Sequence, residues 1–265
     1  MLLTREVRFT PAPAEAAGPV YNSWGGWPAS GALAPFVVLR ATVEGQVDRA
    51  TGYLCNITVI DQAVRDQAIS LLHERWLEGG AGARCERLLV ELWPRMASAM
   101  PSHVTLVRLQ ISSSPYLTYD ISRGDLSMIA VTRSFEFAAA HRLHCPGLSD
   151  DDNRRVFGKC TNPSGHGHNY LLEVTVEGRP DADTGVVIAL AELERVVKTH
   201  VIDVFDHRHL NEDCIEFAAL NPSVENITEV VWGKLEGRFG SARLSRVRVY
   251  ETPKTWAEKE GRSPT

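Results

Sequence analysis

The sequence predicts an α+β chain built twice over, each half an antiparallel sheet with two helices on one face. Three observations carry this expectation. A stretch of the first half returns in the second, alternating strand-like runs flank helix-like stripes in both halves, and 265 residues suit two units better than one core.

The repeat is FVVLRATVEGQVDRATG, from Phe36 to Gly52, against YLLEVTVEGRPDADTG, from Tyr170 to Gly185. Thr42, Val43, Glu44 and Gly45 recur as Thr175, Val176, Glu177 and Gly178, and at the same offset Asp48 falls on Asp181 and Thr51-Gly52 on Thr184-Gly185. A second echo pairs the run from Leu106 to Pro115 with that from Leu244 to Pro253, each reading as a strand that ends at proline. Polar SRGD near Arg123 to Met128 interrupts the apolar pattern and divides the chain into units 1–126 and 127–265.

Each half reads strand, strand, helix, helix, strand. In the second half the strands are Ile129 to Ala139, Asn169 to Val176 and Leu244 to Glu251, rich in β-branched and aromatic residues. Leu190, Leu193, Val197 and Val201 make the stripe of one helix. Ile227, Val230, Val231, Leu235 and Phe239 make that of the other, capped by Ser223 after Pro222. Both stripes read as core, which leaves the other face of the sheet to meet a further subunit.

Composition narrows the function classes. Hydrophobic residues at 44% and charged residues at 23% exclude a disordered chain, and a net charge of −5 without a basic run gives no support to nucleic-acid binding. Arg5, Glu6 and Arg8 stand where a signal peptide needs apolar residues, and no run reaches the roughly 18 apolar residues of a membrane span. The expectation is a cytoplasmic protein with no membrane partner. Five cysteines with no CxxC pair argue against a disulfide framework and a multi-thiolate metal site.

Chemistry is expected in the second half, which holds His141, His144, His166, His168, His200, His207 and His209 against only His73 and His103 in the first. His166 and His168 open a strand, and a side-chain period of two points both imidazoles to one face. His141, at the end of the preceding strand, is placed to join them, and three histidines with an open position compose a catalytic zinc site. The lesser reading is of loop histidines that satisfy hydrogen bonds. Cys160, in VFGKCTNPSGHGHNY, is beside Lys159 and a glycine-rich turn that favour a thiolate, although a lone cysteine is more often an inert buried thiol. Asp206 and His207 are an acid beside a base, in a turn because neighbours on a strand face opposite ways. Glu251 ends the last strand, where a carboxylate can accept two parallel hydrogen bonds from an amidine-like edge.

Together FEFAAAHRLH, VFGKCTNPSGHGHNY, FDHRHLN, PSVENI and VYETP resemble the 6-pyruvoyl-tetrahydropterin synthase and 6-carboxytetrahydropterin synthase family, in its order and spacing from about Ile129 to Trp256. The resemblance implies two tandem tunnelling-fold units that oligomerise into barrels. It further implies Zn2+ on His141, His166 and His168, Cys160 as catalytic base, and Asp206 with His207 as the relay of its proton. Glu251 becomes the anchor of the pterin, with Ser223 and Glu225 as further substrate contacts; Ser223 stands where family members usually have threonine. The implied substrate is a small molecule, 7,8-dihydroneopterin triphosphate. The implied outcomes are 6-pyruvoyl-tetrahydropterin with loss of triphosphate, or 6-carboxytetrahydropterin with release of acetaldehyde in the deazaguanine (queuosine) pathway. The long spacing from Cys160 to His166 resembles the biopterin-pathway type. A zinc hydrolase and a non-catalytic pterin- or zinc-binding pseudoenzyme are the readings from other classes.

Aligned through the repeat, Cys160, His166 and His168 fall on Trp27, Leu33 and Pro35, and Glu251 on Ser113. The first half is therefore expected to be a degenerate copy kept for assembly, in a homo-oligomer for which three tandem chains supply six units.

Overall fold

The computed structural model describes residues 1–11, 26, 33–79 and 84–261, so Trp27 lies outside the described residues. Contacts divide the chain into two compact units, Met1–Val131 with Glu177–Val187, and Thr132–Val176 with Ile188–Thr265.

In the first unit β1 (Leu2–Phe9) pairs antiparallel with β2 (Val37–Gly45), β2 with β3 (Val104–Ser114) and β3 with β4 (Leu117–Ser122). Between β2 and β3, α1 (Ile57–Ala63) passes through a π-helical stretch (Val64–Ile69) into α2 (Ser70–Glu78), and α3 (Cys85–Ser98) follows. Val37, Leu39, Ala41 and Val43 alternate into the core along β2, while Val38, Arg40 and Thr42 face the other way, half-buried. The core face is covered by helix: α1 lies against β1, and α3 against β3 and β4.

The second unit runs β5 (Ile129–His141), α4 (Asp150–Phe157), β6 (His166–Gly178) and α5 (Leu190–Val197). A π-helical stretch (Lys198–Ile202) leads to α6 (Asp203–Phe205), then β7 (Arg208–His209), α7 (Leu210–Asp213), α8 (Val224–Leu235), β8 (Arg243–Thr252) and β9 (Thr255–Glu260). The strand order is β5-β6-β8-β9, with β7 parallel to β5. Phe137 stacks on Tyr170 at 4.9 Å between ring centres, with Phe205 beside it, so β5, β6 and α6 meet in one aromatic core. Truncating a ring of this kind to alanine costs about 3–5 kcal/mol.

The structure differs from the sequence expectation in three places. Each half carries a strand beyond the three expected, β4 and β9, and the second half also has the two-residue β7. The side chains of β9, TWAEKE, are half-buried or exposed throughout and give no apolar signal. A helix not foreseen, α4, is nearly all polar and is fixed by its cap, the Ser149 hydroxyl accepting from the Asp152 N–H. Phe239 is buried but lies beyond α8, which ends at Leu235 ahead of Gly237 at φ 73°.

The two halves share local detail. Ile57 and Leu190 open the first helices at the offset of the TVEG repeat, and Ser70 and Asp203 resume the α-helix after each π stretch at that same offset. In one turn Asp48 Oδ1 accepts from the N–H groups of Ala50 and Thr51 and from Thr51 Oγ1, at 3.0, 2.8 and 2.9 Å. In the other Asp181 Oδ1 accepts from Asp183, Thr184 and Thr184 Oγ1 at 3.1, 2.8 and 2.9 Å. Gly52 and Gly185 close the turns at φ 73° and 72°, where a side chain would be strained.

Candidate active site

Period-two geometry assembles the site at one end of the core face of the second unit's strands. Phe137, Ala139 and His141 alternate inward along β5; His166, His168 and Tyr170 share a face of β6; and Val247, Val249 and Glu251 share a face of β8. The three histidines expected from the sequence are thereby brought together, their ligand nitrogens all within 4.8 Å of one another.

Gly165 makes the approach possible. It sits at φ 67°, and a Cβ there would fall 2.9 Å from the His141 carbonyl oxygen and 2.7 Å from His209 Nε2. His209, on β7, thus packs behind the turn that delivers His166. Sequence reasoning passed over this glycine, although a glycine immediately before a histidine pair was a visible signal.

His141 is fully buried, and its Nδ1 lies 2.7 Å from the Pro222 carbonyl oxygen. A carbonyl only accepts, so Nδ1 carries the hydrogen and the Nε2 lone pair faces the other two rings. Burial, the largest cause, pushes the His141 pKa down to about 4, and burial also lowers that of His168 against the opposing pull of Glu251. Both rings therefore present neutral imidazole near neutral pH. His141 Nε2 and His166 Nε2 stand 3.2 Å apart, and His168 Nε2 is buried with no hydrogen-bond partner among the described residues. Converging lone pairs and an orphaned buried nitrogen fit a bound cation, and three imidazoles with one open side suit zinc.

Glu251 Oε1 lies 3.4 Å from His141 Nε2 and 3.6 Å from His168 Nε2, so this carboxylate stands at the mouth of the cluster. Tyr170, unremarked in the sequence, lies under it with its hydroxyl 3.4 Å from His141 Nδ1. Burial raises the Tyr170 pKa, and the charges of Glu251 and Cys160 raise it further. Cys160 occupies a short 3-10 turn (Gly158–Thr161), half-buried, and its carbonyl accepts from the Leu143 N–H at 2.9 Å, tying the turn to the chain just after β5.

Asp206 and His207 occupy a turn after α6. Asp206 Oδ1 accepts from the Ala138 N–H at 2.8 Å, Asp206 Oδ2 lies 2.9 Å from His207 Nδ1, and the His207 N–H donates to Ala138 at 2.6 Å. The Ala138 N–H, ahead of other causes, holds the Asp206 carboxyl below its ordinary pKa. His207 has φ 57° and is 83% exposed, and within this chain neither residue of the pair hydrogen-bonds to Cys160 among the described residues. A cleft of about 510 Å³ runs past Ala139, Gly167, His168, His207 and His209. Ser223 caps α8 by accepting from Asn226, and Glu225 is exposed on its first turn.

Residues 130–262 match the family model described as 6-pyruvoyl tetrahydropterin synthase. The human 6-pyruvoyl tetrahydrobiopterin synthase is 41% identical over 122 residues, 46% of this chain and 84% of that protein. A 6-carboxy-5,6,7,8-tetrahydropterin synthase of Haemophilus influenzae is 26% identical over 151 residues, 49% of this chain and 98% of that protein. The solved structure of Caenorhabditis elegans 6-pyruvoyl tetrahydropterin synthase, 36% identical, matches with a TM-score of 0.48 over 51% of this chain and 96% of its own. Among the described residues no helix is long and apolar enough to cross a membrane.

Proposed function

Since this chain belongs to the 6-pyruvoyl tetrahydropterin synthase family, we propose that its second unit is a zinc-dependent carbon–oxygen lyase. In this reading it converts 7,8-dihydroneopterin triphosphate to 6-pyruvoyl-tetrahydropterin and releases triphosphate. The observation that carries the proposal is the convergence of His141, His166 and His168 with the Glu251 carboxylate at their mouth.

His141, His166 and His168 would hold zinc, which when bound would supply Lewis acidity toward the side-chain oxygens of the substrate. Glu251 holds the pterin ring, with Ser223 and Glu225 as further substrate contacts, so that the side chain lies over Cys160. The Cys160 thiolate takes the proton from the side-chain carbon, and the Asp206–His207 pair returns protons as the rearrangement proceeds. Electrons leaving the side chain reduce the pterin ring while the carbon–oxygen bond to triphosphate breaks, so no external redox cofactor is required.

The H. influenzae relative, by its name, supports a second reading, a 6-carboxytetrahydropterin synthase that cleaves a carbon–carbon bond. The higher identity to the human protein and the Cys160-to-His166 spacing favour the first. A zinc hydrolase would not need Cys160, and a pterin-binding pseudoenzyme would not turn over. The test is zinc content and turnover in two variants: His166→Ala is expected to lose both, and Cys160→Ala to keep zinc and lose turnover. Turnover surviving in Cys160→Ala would reject the lyase.

We further read the chain as a divergent tandem duplication, supported by the shared helix offsets and the twin Asp48 and Asp181 turns. Leu33, Pro35 and Ser113 stand where the second half has His166, His168 and Glu251, so the first half serves assembly, in a trimer of tandem chains that closes barrels. Light scattering showing a stable monomer would refute the assembly.

A further inference from the structure

A second cavity, of about 640 Å³, is lined by Arg142, Arg154, Lys159, Thr161 and Asp150 among others. Its volume falls within the roughly 300–1,000 Å³ of small-ligand sites. Arg142 follows His141 directly and Thr161 follows Cys160, so two chain segments pass from the proposed reaction centre into this wall within one residue.

Three features of the wall call for an anion. Arg142 donates Nε–H to the Thr161 carbonyl at 3.0 Å, which fixes the guanidinium, yet it has no carboxylate partner among the described residues. Lys159 is exposed at the cavity and likewise has no acidic partner there. Thr161 is only 8% exposed, and its Oγ1 is buried without a hydrogen-bond partner. A buried hydroxyl left unpaired is destabilising, a cost that a ligand accepting its hydrogen would relieve. Arg154 is balanced by Asp151 at 3.1 Å, and the Asn153 side chain is spent on the carbonyls of Cys145, Leu148 and Ser149. Among the described lining residues Asp150 is the one acid.

We infer that this cavity is a polyphosphate subsite, in which Arg142, Lys159 and the Thr161 hydroxyl hold the phosphate chain of the substrate while its carbon end reaches the histidine cluster. The owner of that phosphate chain rests on the lyase reading; the anion site does not.

Calorimetric titration with inorganic triphosphate separates the two. The zinc-loaded protein is expected to bind it, Lys159→Ala and Thr161→Val to bind about tenfold or more weakly, and Arg142→Lys to bind better than Arg142→Ala. Because triphosphate also chelates zinc, His166→Ala is titrated in parallel and is expected to retain binding. Absence of binding, affinity unchanged in Lys159→Ala and Thr161→Val, or binding lost in His166→Ala would each overturn the subsite. In turnover, the same two variants are expected to raise KM with little change in kcat. Intact triphosphate binding without any turnover would instead reject the lyase and leave the subsite standing.

Discussion

His141 and Pro222 are joined through Nδ1 and a carbonyl oxygen at 2.7 Å, so the residue ahead of helix α8 sets which nitrogen of a fully buried histidine faces the cluster. The cap of that helix is therefore coupled to the metal site. Ser223→Ala, which removes the acceptor for the Asn226 N–H, is expected to cost about 1 kcal/mol in unfolding free energy and to weaken zinc binding as the Pro222 carbonyl loosens. Denaturation and zinc competition on the same variant check both; weakened stability with unchanged zinc affinity would break the coupling.

Gly165→Ala places a methyl group against the His141 carbonyl and His209 Nε2 in a left-handed backbone. Zinc affinity is expected to fall at least about tenfold, because His166 is carried on the displaced residue. Gly52→Ala, strained alike but with open space around it, is the control: it is expected to cost about 1–2 kcal/mol and to leave zinc untouched.

His141 gives the zinc-free protein a definite pH dependence. Its folded pKa of about 4 lies below the roughly 6.5 of an unfolded chain, so the unfolded state binds the extra proton. Its contribution to stability is complete above pH of about 6.5 and is lost as pH falls toward about 4, by roughly 3 kcal/mol. Urea unfolding of metal-free wild type and His141→Asn across this window is expected to show a shallower slope in the variant; equal slopes would remove His141 from the account.

Glu251→Gln tests the carboxylate at the cluster mouth. A carboxamide offers one acceptor where the carboxylate offers two, so KM for the pterin is expected to rise about tenfold while zinc content holds. An unchanged KM would exclude Glu251 from holding the ring.

The histidine cluster was legible in the sequence because period-two alternation fixes which side chains share a strand face, and His166, His168 and Glu251 all sit on strands. The cap on α8 was legible for a similar reason, a serine after proline ahead of an apolar stripe. What escaped had no apolar pattern: α4 is held by Ser149 and its acidic first turn, and β9 lies half-buried at most. Tyr170 and the Pro222 carbonyl escaped because their roles arise from tertiary approach to His141. The Asp206–His207 pairing was legible as an acid beside a base, but the turn that holds it, with His207 at φ 57°, depends on backbone geometry that no local motif encodes.

The most direct measurement is product analysis by mass spectrometry after zinc-loaded protein meets 7,8-dihydroneopterin triphosphate without a redox cofactor. The expected products are 6-pyruvoyl-tetrahydropterin and free triphosphate. Formation of 6-carboxytetrahydropterin with acetaldehyde, or no product from folded and metal-replete protein, would contradict that expectation.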